Sequence, residues 1–267
     1  MSAWHGQVVV LTGASRGIGA EVACTLAGHG ARLVLAARDA ARLEDVAGLC
    51  RKQVAEVEVA ACDVTDESQC RSLIERAVAR FGRIDTLMCN AGQAMWARAE
   101  DVTDWAVFER LLRVNYLGAV YCSLAALPHL RASRGRLVAI SSLAGKTGVP
   151  MRTGYSAAKA ALNAFCDSLR IELVGSGVSV TVVCPGFVGT GSRQRNLGAD
   201  GLPLGRSPVD EEAMMTVADC TRQLLDAAEH RDRELVMTAR ARLGMWLKLF
   251  VPSLVDRMAS QAMARGR

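Results

Sequence analysis

The sequence predicts one α/β domain built on a doubly wound parallel sheet of about seven strands, with helices on both faces. Short β-rich runs alternate with longer helical patterns, which is typical of repeated strand–helix–strand units. Several runs consist almost wholly of Val, Leu, Ile and Ala, as in strands covered on both faces. The 267 residues contain no repeat and no Pro/Gly/Ser-rich linker, so we predict a single domain over 1–267.

Strands and helices are predicted in alternation along the chain. The predicted strands are Val8–Thr12, Arg32–Ala36, Glu56–Ala61, Thr86–Asn90, Gly135–Ile140, Ser179–Val183 and Glu234–Met237. The predicted helices are Gly19–His29, Ala41–Gln53, Glu67–Phe81, Trp105–His129, Tyr155–Leu173 and Glu211–Glu229. A long irregular stretch remains at 186–209. Because such loops in compact domains are usually lids or binding elements, we predict a substrate loop there.

Composition and charge argue against several classes of protein. With 51% hydrophobic and 22% charged residues, the chain is expected to be globular rather than disordered. Aromatic residues make up only 4%, too few for a nucleic-acid stacking platform. The net charge of +5 is concentrated in 240–267, where six basic residues accompany only Asp256. We therefore expect no nucleic-acid partner.

The cysteines and the N-terminus predict a cytoplasmic protein. None of the nine cysteines forms a C-x-x-C pair and their number is odd, so we predict neither a disulfide framework nor a metal site. The first residues lead directly into a strand that cleavage of a signal peptide would remove. No run approaches the roughly 18 uninterrupted apolar residues of a membrane span.

A glycine-rich turn follows the first predicted strand. Its glycines allow a tight strand-to-helix turn and a close approach to a pyrophosphate, which the next helix N-terminus attracts. The predicted binding residues are Gly13, Ser15, Arg16, Gly17, Ile18 and Gly19. The spacing T-G-x-x-x-G-x-G resembles that of the short-chain dehydrogenases/reductases. The resemblance implies a Rossmann-type fold and a nicotinamide dinucleotide cofactor.

The end of the second predicted strand indicates which dinucleotide is bound. NAD-binding proteins normally place Asp or Glu there, whereas this sequence has Ala36, Ala37 and Arg38. With no carboxylate to repel a 2′-phosphate, Arg38 can pair with it while Arg16 approaches from the other side. The sequence therefore favours NADP(H) over NAD(H).

Two further segments match the resembled family. The aspartate after the third strand implies adenine binding, and the segment after the fourth strand resembles the family's N-N-A-G. The predicted cofactor residues there are Asp63, Val64, Asn90, Ala91 and Gly92. Cys89 replaces the first Asn of N-N-A-G, a departure expected to weaken a hydrogen bond between strands without touching the chemistry.

Tyr155 and Lys159 form the centre of the predicted catalytic site. Their spacing places both on one helix face, where an ammonium lowers the pKa of a phenol from about 10 towards neutral pH. Ser142, at the exit of the fifth strand, is placed to stabilise charge on a substrate oxygen. By resemblance, Asn115 holds a water in a proton relay, and Tyr155 and Lys159 also contact the cofactor. A helix kink or a packing hydrogen bond remains open for Asn115.

The segment after the sixth strand resembles the family's P-G-x-x-x-T and implies contacts with the nicotinamide. The predicted cofactor residues there are Pro185, Gly186, Val188 and Thr190. The motifs occupy residues 8 to 190 in the family's order, which implies an oxidoreductase that interconverts a secondary alcohol and a carbonyl. Tyr155 would donate and accept the proton. Met95, Trp96 and Phe187 suggest a lipophilic alcohol or ketone, steroid-like or acyl.

The segment 240–267 combines a basic charge balance with an apolar helical stripe that Pro252 interrupts, so two short helices are predicted. It resembles, loosely, the hydroxysteroid dehydrogenase branch. The segment fits peripheral contact with a membrane surface, a cover over the substrate mouth, packing across a dimer, or ordinary core packing.

Two alternative functions are compatible with the same scaffold. One is a catalytically idle dinucleotide sensor, which the intact Ser142, Tyr155 and Lys159 disfavour; the other is a membrane-recruited scaffold acting through 240–267. An epimerase or dehydratase relative would have a longer C-terminal substrate domain than the chain has after residue 190. By resemblance, a homodimer or homotetramer is expected to form through Trp105–His129 and Tyr155–Leu173.

Overall fold

A computed structural model describes residues 2–53, 55–209 and 214–264. Within these residues, seven strands form one parallel sheet in the order β3-β2-β1-β4-β5-β6-β7. The strands are β1 (Val8–Thr12), β2 (Arg32–Ala37), β3 (Val57–Ala61), β4 (Thr86–Cys89), β5 (Arg136–Ile140), β6 (Ser179–Cys184) and β7 (Glu234–Val236). The predicted doubly wound α/β fold is confirmed.

Helices cover both faces of the sheet. They are α1 (Gly17–Gly28), α2 (Ala40–Arg51), α3 (Glu67–Phe81), α4 (Ala106–Leu112), α5 (Gly118–Ser133), α6 (Thr153–Glu172), α7 (Val217–Glu229), α8 (Ala239–Phe250) and α9 (Pro252–Ala264). Side chains alternate along β1, so that Val9 and Leu11 pack with α1, α2 and α7 while Val10 packs with α3, α5 and α6. Each strand therefore needs apolar residues at successive positions.

The strand order reverses at β1, because β2 pairs with one side of it and β4 with the other. In open parallel sheets, a ligand crevice forms outside the carboxyl ends of the strands at such a reversal. The glycine turn leaves β1 at this edge, and the chain after β4 leaves beside it. The topology thus brings together the segments in which the sequence predicts a site.

The predicted helix Trp105–His129 is divided in the structure. A π-helical turn at Arg113–Leu117 separates α4 from α5, and α5 extends to Ser133. The side-chain amide of Asn115 within this turn donates to the Leu111 carbonyl at 2.9 Å. Periodicity alone does not reveal the inserted turn, because apolar residues continue on both sides of it.

The predicted helix Glu211–Glu229 begins later, at Val217. Thr216 caps it by accepting a hydrogen bond from the Asp219 amide at 3.0 Å. Before the cap, Met215 pairs with Val188 in a short parallel bridge, which keeps this part of the chain extended. Residues 211–213 of the prediction lie outside the described residues.

The helical run 106–133 is the one segment in the described part of the chain that is long and apolar enough to cross a membrane by length and composition. Its buried residues, among them Cys122, Ala126 and Leu130, pack into the core cluster beside the sheet. Core helices of globular proteins pass the same test. One face of this run therefore packs against the core, while Leu112 and Leu124 are exposed on it.

Candidate active site

A cleft of about 760 Å³ opens at the carboxyl ends of the central strands. Every residue predicted to bind the cofactor lines it, and so does Ser142. Asn115 is the exception among the predicted site residues, since it lies behind the cleft and is 1% exposed. The sequence motifs therefore converge on one place.

The glycine turn fits a pyrophosphate group. Gly13 and Gly17 have φ of +66° and +52°, in the left-handed region that favours glycine. A Cβ atom on Gly19 would lie 2.2 Å from the Gly13 carbonyl oxygen. The turn thus needs its glycines, and it leaves a concave backbone surface at the start of α1, where the Arg16 side chain makes no capping hydrogen bond.

Asn90 ties the glycine turn to the end of β4. Its side-chain amide donates to the Thr12 and Gly13 carbonyl oxygens, both at 3.0 Å. The Thr12 hydroxyl accepts from the Asn90 and Ala91 backbone amides at 3.0 and 3.1 Å. The strand therefore ends at Cys89, one residue earlier than predicted, and Asn90 acts here by positioning the turn.

The end of β2 carries one carboxylate that the sequence analysis did not count. Asp39 follows Arg38 in the cleft and accepts hydrogen bonds from Arg16, at 2.7 Å, and from the Arg42 backbone amide, at 3.2 Å. The expectation of no carboxylate here is therefore wrong. These contacts lower the pKa of Asp39, with the Arg42 amide as the largest cause, so the group stays ionised.

Three arginines nevertheless outweigh this carboxylate. Arg38, Arg16 and Arg195 all line the cleft, and Arg195 lies close enough to Arg16 that their repulsion contributes to lowering the pKa of Arg195, after burial. Arg195 lies within the predicted substrate loop, but its place beside Arg16 was not predicted, because only the fold of the loop after β6 brings it back towards α1. Their combined charge suits a phosphate group.

Asp63 is held in a turn after β3. Its carboxylate accepts from the Thr65 amide at 3.0 Å and from the Thr65 hydroxyl at 2.9 Å. Val64 packs so close to α5 that a Cβ on Gly118 would lie 2.8 Å from it. Adenine binding by Asp63 stays a prediction.

Tyr155 and Lys159 occupy one face of α6 inside the cleft. The Lys159 ammonium lies 5.9 Å from the centre of the Tyr155 ring and donates to the Ile140 carbonyl at 2.8 Å. Lys159 is 3% exposed, and burial lowers its pKa from 10.5 to about 8. It therefore remains mostly charged at neutral pH.

The pKa of Tyr155 differs from the expectation. Burial raises it above 10, because the phenolate would lose its hydration. Hydrogen bonding with Ser142 and the charge of Arg152 lower the pKa in part. The expected net lowering of the Tyr155 pKa is therefore wrong for the protein alone, in which Tyr155 stays protonated, and the contribution of Lys159 stays a prediction.

Ser142 stands at the exit of β5 in extended conformation. Its hydroxyl accepts from the Ala144 amide at 3.2 Å and caps a short 3-10 turn. This cap fixes the hydroxyl beside the Tyr155 phenol, whose pKa it lowers by hydrogen bonding. The two hydroxyls are thus placed to contact the same substrate oxygen.

The Asn115 side chain is used in packing. Its amide donates to the Gln93 carbonyl at 2.7 Å, and its oxygen accepts from the Gln93 amide at 3.2 Å. A Cβ on Gly92 would lie 2.9 Å from the Asn115 oxygen and 3.6 Å from the Lys159 nitrogen. Asn115 therefore holds the segment after β4 against the π-helical turn between α4 and α5, and its part in a water relay stays a prediction.

The loop after β6 closes the remaining side of the cleft. A Cβ on Gly17 would lie 3.2 Å from the Thr190 Cβ, so this loop crosses close to the glycine turn. The Thr190 hydroxyl shares a 2.6 Å hydrogen bond with the Ser192 hydroxyl. The predicted substrate loop 186–209 thus begins within the cleft.

Sequence reasoning gave no individual role to several residues that line this cleft, four of which lie within the predicted substrate loop 186–209. They are Asp39, Ala94, Ser141, Arg152, Ser192, Arg193, Arg195 and Asn196. Arg152 lies three residues before Tyr155, but it precedes α6 in a non-helical conformation, so helical spacing does not predict its direction. The run from Ser192 to Asn196 had only its basic character as a signal, because irregular loops have no periodicity.

Three features are typical of an oxidoreductase that binds a dinucleotide. They are the reversal of strand order at β1, the glycine turn, and the Tyr155–Lys159 pair in the same cleft. A family model described as short chain dehydrogenase matches residues 7–199. The chain belongs to the short-chain dehydrogenase family.

Named relatives and solved structures agree with this membership. The chain is 34% identical to 11-beta-hydroxysteroid dehydrogenase A of Sesamum indicum, covering 94% of this chain and 74% of the relative. It is 32% identical to dehydrogenase/reductase SDR family protein 7-like of Dictyostelium discoideum, covering 96% and 81%. The resemblance to the hydroxysteroid branch is confirmed.

Among solved structures, the fold is similar to an alcohol dehydrogenase of Thermococcus sibiricus complexed with 5-hydroxy-NADP. That comparison has a TM-score of 0.75 and 28% identity, and covers 86% of this chain and 95% of the other. A metagenomic short-chain oxidoreductase in complex with NADP gives a TM-score of 0.72 and 30% identity, covering 88% and 97%.

Proposed function

We propose that the chain is an NADP(H)-dependent oxidoreductase that interconverts a secondary alcohol and a carbonyl on a lipophilic substrate. One observation carries the proposal: Ser142, Tyr155 and Lys159 meet in the same cleft as the glycine turn and Arg38. A catalytically idle dinucleotide sensor would not need Ser142, Tyr155 and Lys159. The NADP complexes of the two similar structures support the choice of cofactor.

The proposed chemistry divides between cofactor and chain. A nicotinamide dinucleotide, when bound, supplies or accepts the hydride. The Tyr155 hydroxyl donates a proton to the carbonyl oxygen during reduction, and the Ser142 hydroxyl stabilises the charge that develops there. The raised pKa of Tyr155 keeps its proton in place at neutral pH, which favours carbonyl reduction.

The direct test measures NADPH oxidation over ketones graded in size and polarity, repeated with NADH. We expect turnover with NADPH, faster on apolar aryl and alkyl ketones, since Phe187 lines the cleft and is partly exposed. Absence of NADPH binding and of turnover across the whole series would overturn the proposed function.

Changing Arg38 to Asp is expected to reverse the cofactor preference. The substitution removes one charge-assisted contact with the 2′-phosphate and adds repulsion beside Asp39, so the KM for NADPH should rise about 10- to 100-fold. The KM for NADH should change much less. Steady-state kinetics with both cofactors measure this, and Arg131→Asp, on the exposed end of α5, is the control. Equal changes in the KM values for NADPH and NADH would contradict the assignment of Arg38 to the 2′-phosphate.

We also propose that two copies pair through α5 and α6. Leu124 and Ile171 are 56% and 70% exposed on these helices, and Leu112 is exposed on the adjoining α4. Large apolar side chains exposed on a protein surface are typical of subunit contacts. Light scattering after size-exclusion chromatography is expected to give a dimer or tetramer.

We propose, finally, a cytoplasmic protein whose segment 240–264 contacts an anionic membrane surface. The two helices predicted on either side of Pro252 correspond to α8 and α9. Met245 packs against the core and Lys248 donates to the Thr147 hydroxyl at 2.9 Å, whereas Trp246 and Phe250 are 63% and 77% exposed. The outer face is thus apolar and flanked by basic residues.

Sedimentation with vesicles tests this proposal. We expect the full chain to bind vesicles containing phosphatidylserine and to bind phosphatidylcholine alone less, and we expect high salt to weaken the binding. Replacing both Trp246 and Phe250 with Ser should abolish it. Binding to neither kind of vesicle would contradict the membrane contact.

A further inference from the structure

The cleft contains a second buried cation, close to Tyr155, for which the proposed chemistry has no use. We propose that Arg152 forms an anion-binding subsite, so that the substrate carries a carboxylate as well as the reacting carbonyl. This inference rests on the proposed function and specifies its substrate class. Arg152 lines the cleft with Tyr155.

The backbone before α6 is shaped to place Arg152 in the cleft. Met151 has φ of +64°, in the left-handed region that non-glycine residues rarely adopt. Its carbonyl accepts a hydrogen bond from the Ala97 amide at 3.0 Å, which holds the strained turn in place. Such strain is concentrated at functional sites, because only a specific surrounding structure maintains it.

Arg152 is buried without a compensating carboxylate. It is 8% exposed, and no Asp or Glu among the described residues forms a salt bridge with it. Its Nε has no hydrogen-bond partner within the described structure. Burial therefore lowers the pKa of this guanidinium. An unpaired buried cation is costly, and an anion delivered by a ligand would remove that cost.

Aromatic rings fix the position of the guanidinium. The Arg152 guanidinium carbon lies 4.9 Å from the ring centres of both Trp96 and Phe187. Rings over a guanidinium occupy its faces, so its N–H groups are left to donate along its edges. This arrangement suits a planar carboxylate, which Arg binds through two parallel hydrogen bonds.

Arg193, in the substrate loop, lies next to this subsite. It is 6% exposed, its guanidinium carbon lies 5.2 Å from the Phe187 ring centre, and it donates to the Val188 carbonyl at 3.2 Å. Its repulsion contributes to lowering the pKa of Arg152. A carboxylate bound to Arg152 would reduce this repulsion, and the flanking rings would contact the apolar part of the same substrate.

The test compares matched acids and esters. NADPH oxidation is measured with levulinate and para-acetylbenzoate, which place the carboxylate at different distances from the ketone, and with the methyl ester of each. Arg152→Met removes the charge. Arg152→Lys retains the charge but cannot form two parallel hydrogen bonds with a carboxylate. Arg131→Met, on the exposed end of α5, is the control. Binding of para-acetylbenzoate is measured separately by calorimetry.

We expect the wild-type protein to favour at least one acid over its ester by about 10- to 100-fold in kcat/KM. Arg152→Met should bring this ratio close to one and abolish calorimetric binding of the acid. Arg152→Lys should restore part of the ratio, and Arg131→Met should leave it unchanged.

Three results would overturn the inference. The esters could react as fast as the acids in the wild type. Arg152→Met could slow acid and ester equally, which would mean that Arg152 acts on Tyr155 alone, or it could raise chiefly the KM for NADPH, which would mean that it holds the cofactor. If no ketone turns over, the proposed function fails, but calorimetry still tests the subsite. Binding of para-acetylbenzoate that is lost in Arg152→Met would support the subsite, and absence of binding to the wild-type protein would overturn it.

Discussion

Tyr155→Phe is expected to lower kcat for carbonyl reduction by about 10²- to 10⁴-fold, the usual contribution of a positioned general acid. The substitution removes only the hydroxyl, and the ring is retained in its half-buried position on α6. The carbonyl oxygen would then gain charge during hydride transfer without a proton donor. Single-turnover measurements of NADPH oxidation with saturating ketone report this step directly.

A matched control is available on the same fold. Tyr116 packs its ring edge-on against Phe165, with ring centres 6.3 Å apart, and it does not line the cleft. Tyr116→Phe should therefore leave kcat within about twofold of the wild type. The Kd for NADPH should stay similar in both variants. A Tyr155→Phe protein that reduces ketones at near the wild-type rate would remove Tyr155 from the proposed chemistry.

The sequence predicted the fold and most of the cleft because both depend on local patterns. The strands are apolar at successive positions, as in β1, since helices cover both faces. The glycine turn is recognisable because its backbone angles and close contacts admit only glycine at positions such as Gly13 and Gly19. Tyr155 and Lys159 share a helix face through their spacing alone.

The features that the sequence did not predict depend on contacts between distant segments. Arg195 reaches Arg16 only because the loop after β6 crosses the glycine turn. The raised pKa of Tyr155 is a consequence of burial, and burial is a property of the folded chain. Arg152 enters the cleft from the turn before α6, so its position and its lack of a carboxylate partner emerge only when its surroundings are known.

Lys159→Met is expected to make the protein more stable at neutral pH while lowering turnover. Burial lowers the pKa of Lys159 from 10.5 to about 8, which corresponds to roughly 3 kcal/mol of unfavourable charge burial. The nearby thiols of Cys89 and Cys184 do not offset this charge, since burial raises their pKa values to about 12 and keeps them neutral. Methionine has a similar length and carries no charge, so the substitution removes the cost of burying the ammonium.

The net gain is smaller than the burial cost, because the substitution also removes the hydrogen bond to the Ile140 carbonyl, worth about 1 kcal/mol. A gain of about 2 kcal/mol at pH 7 should raise the Tm by roughly 4–8 °C. Thermal unfolding of the cofactor-free protein measures this. Lys52→Met, on an exposed lysine at the end of α2, should leave the Tm unchanged. A lower Tm for Lys159→Met would show that the ammonium stabilises the fold.

The pH dependence distinguishes this explanation from simple repacking. Between pH 8 and 10.5 the unfolded chain still binds the Lys159 proton while the folded chain releases it, so the charge-burial penalty decreases as pH rises. Below pH 8 both states hold the proton and the penalty is constant. Titrating thiols affect wild type and variant alike, so the difference between their unfolding free energies isolates Lys159. That difference should favour the variant at pH 7 and reverse near pH 10.5, where the neutral amine retains its hydrogen bond to Ile140. A difference independent of pH would mean that packing, not charge, distinguishes the two proteins.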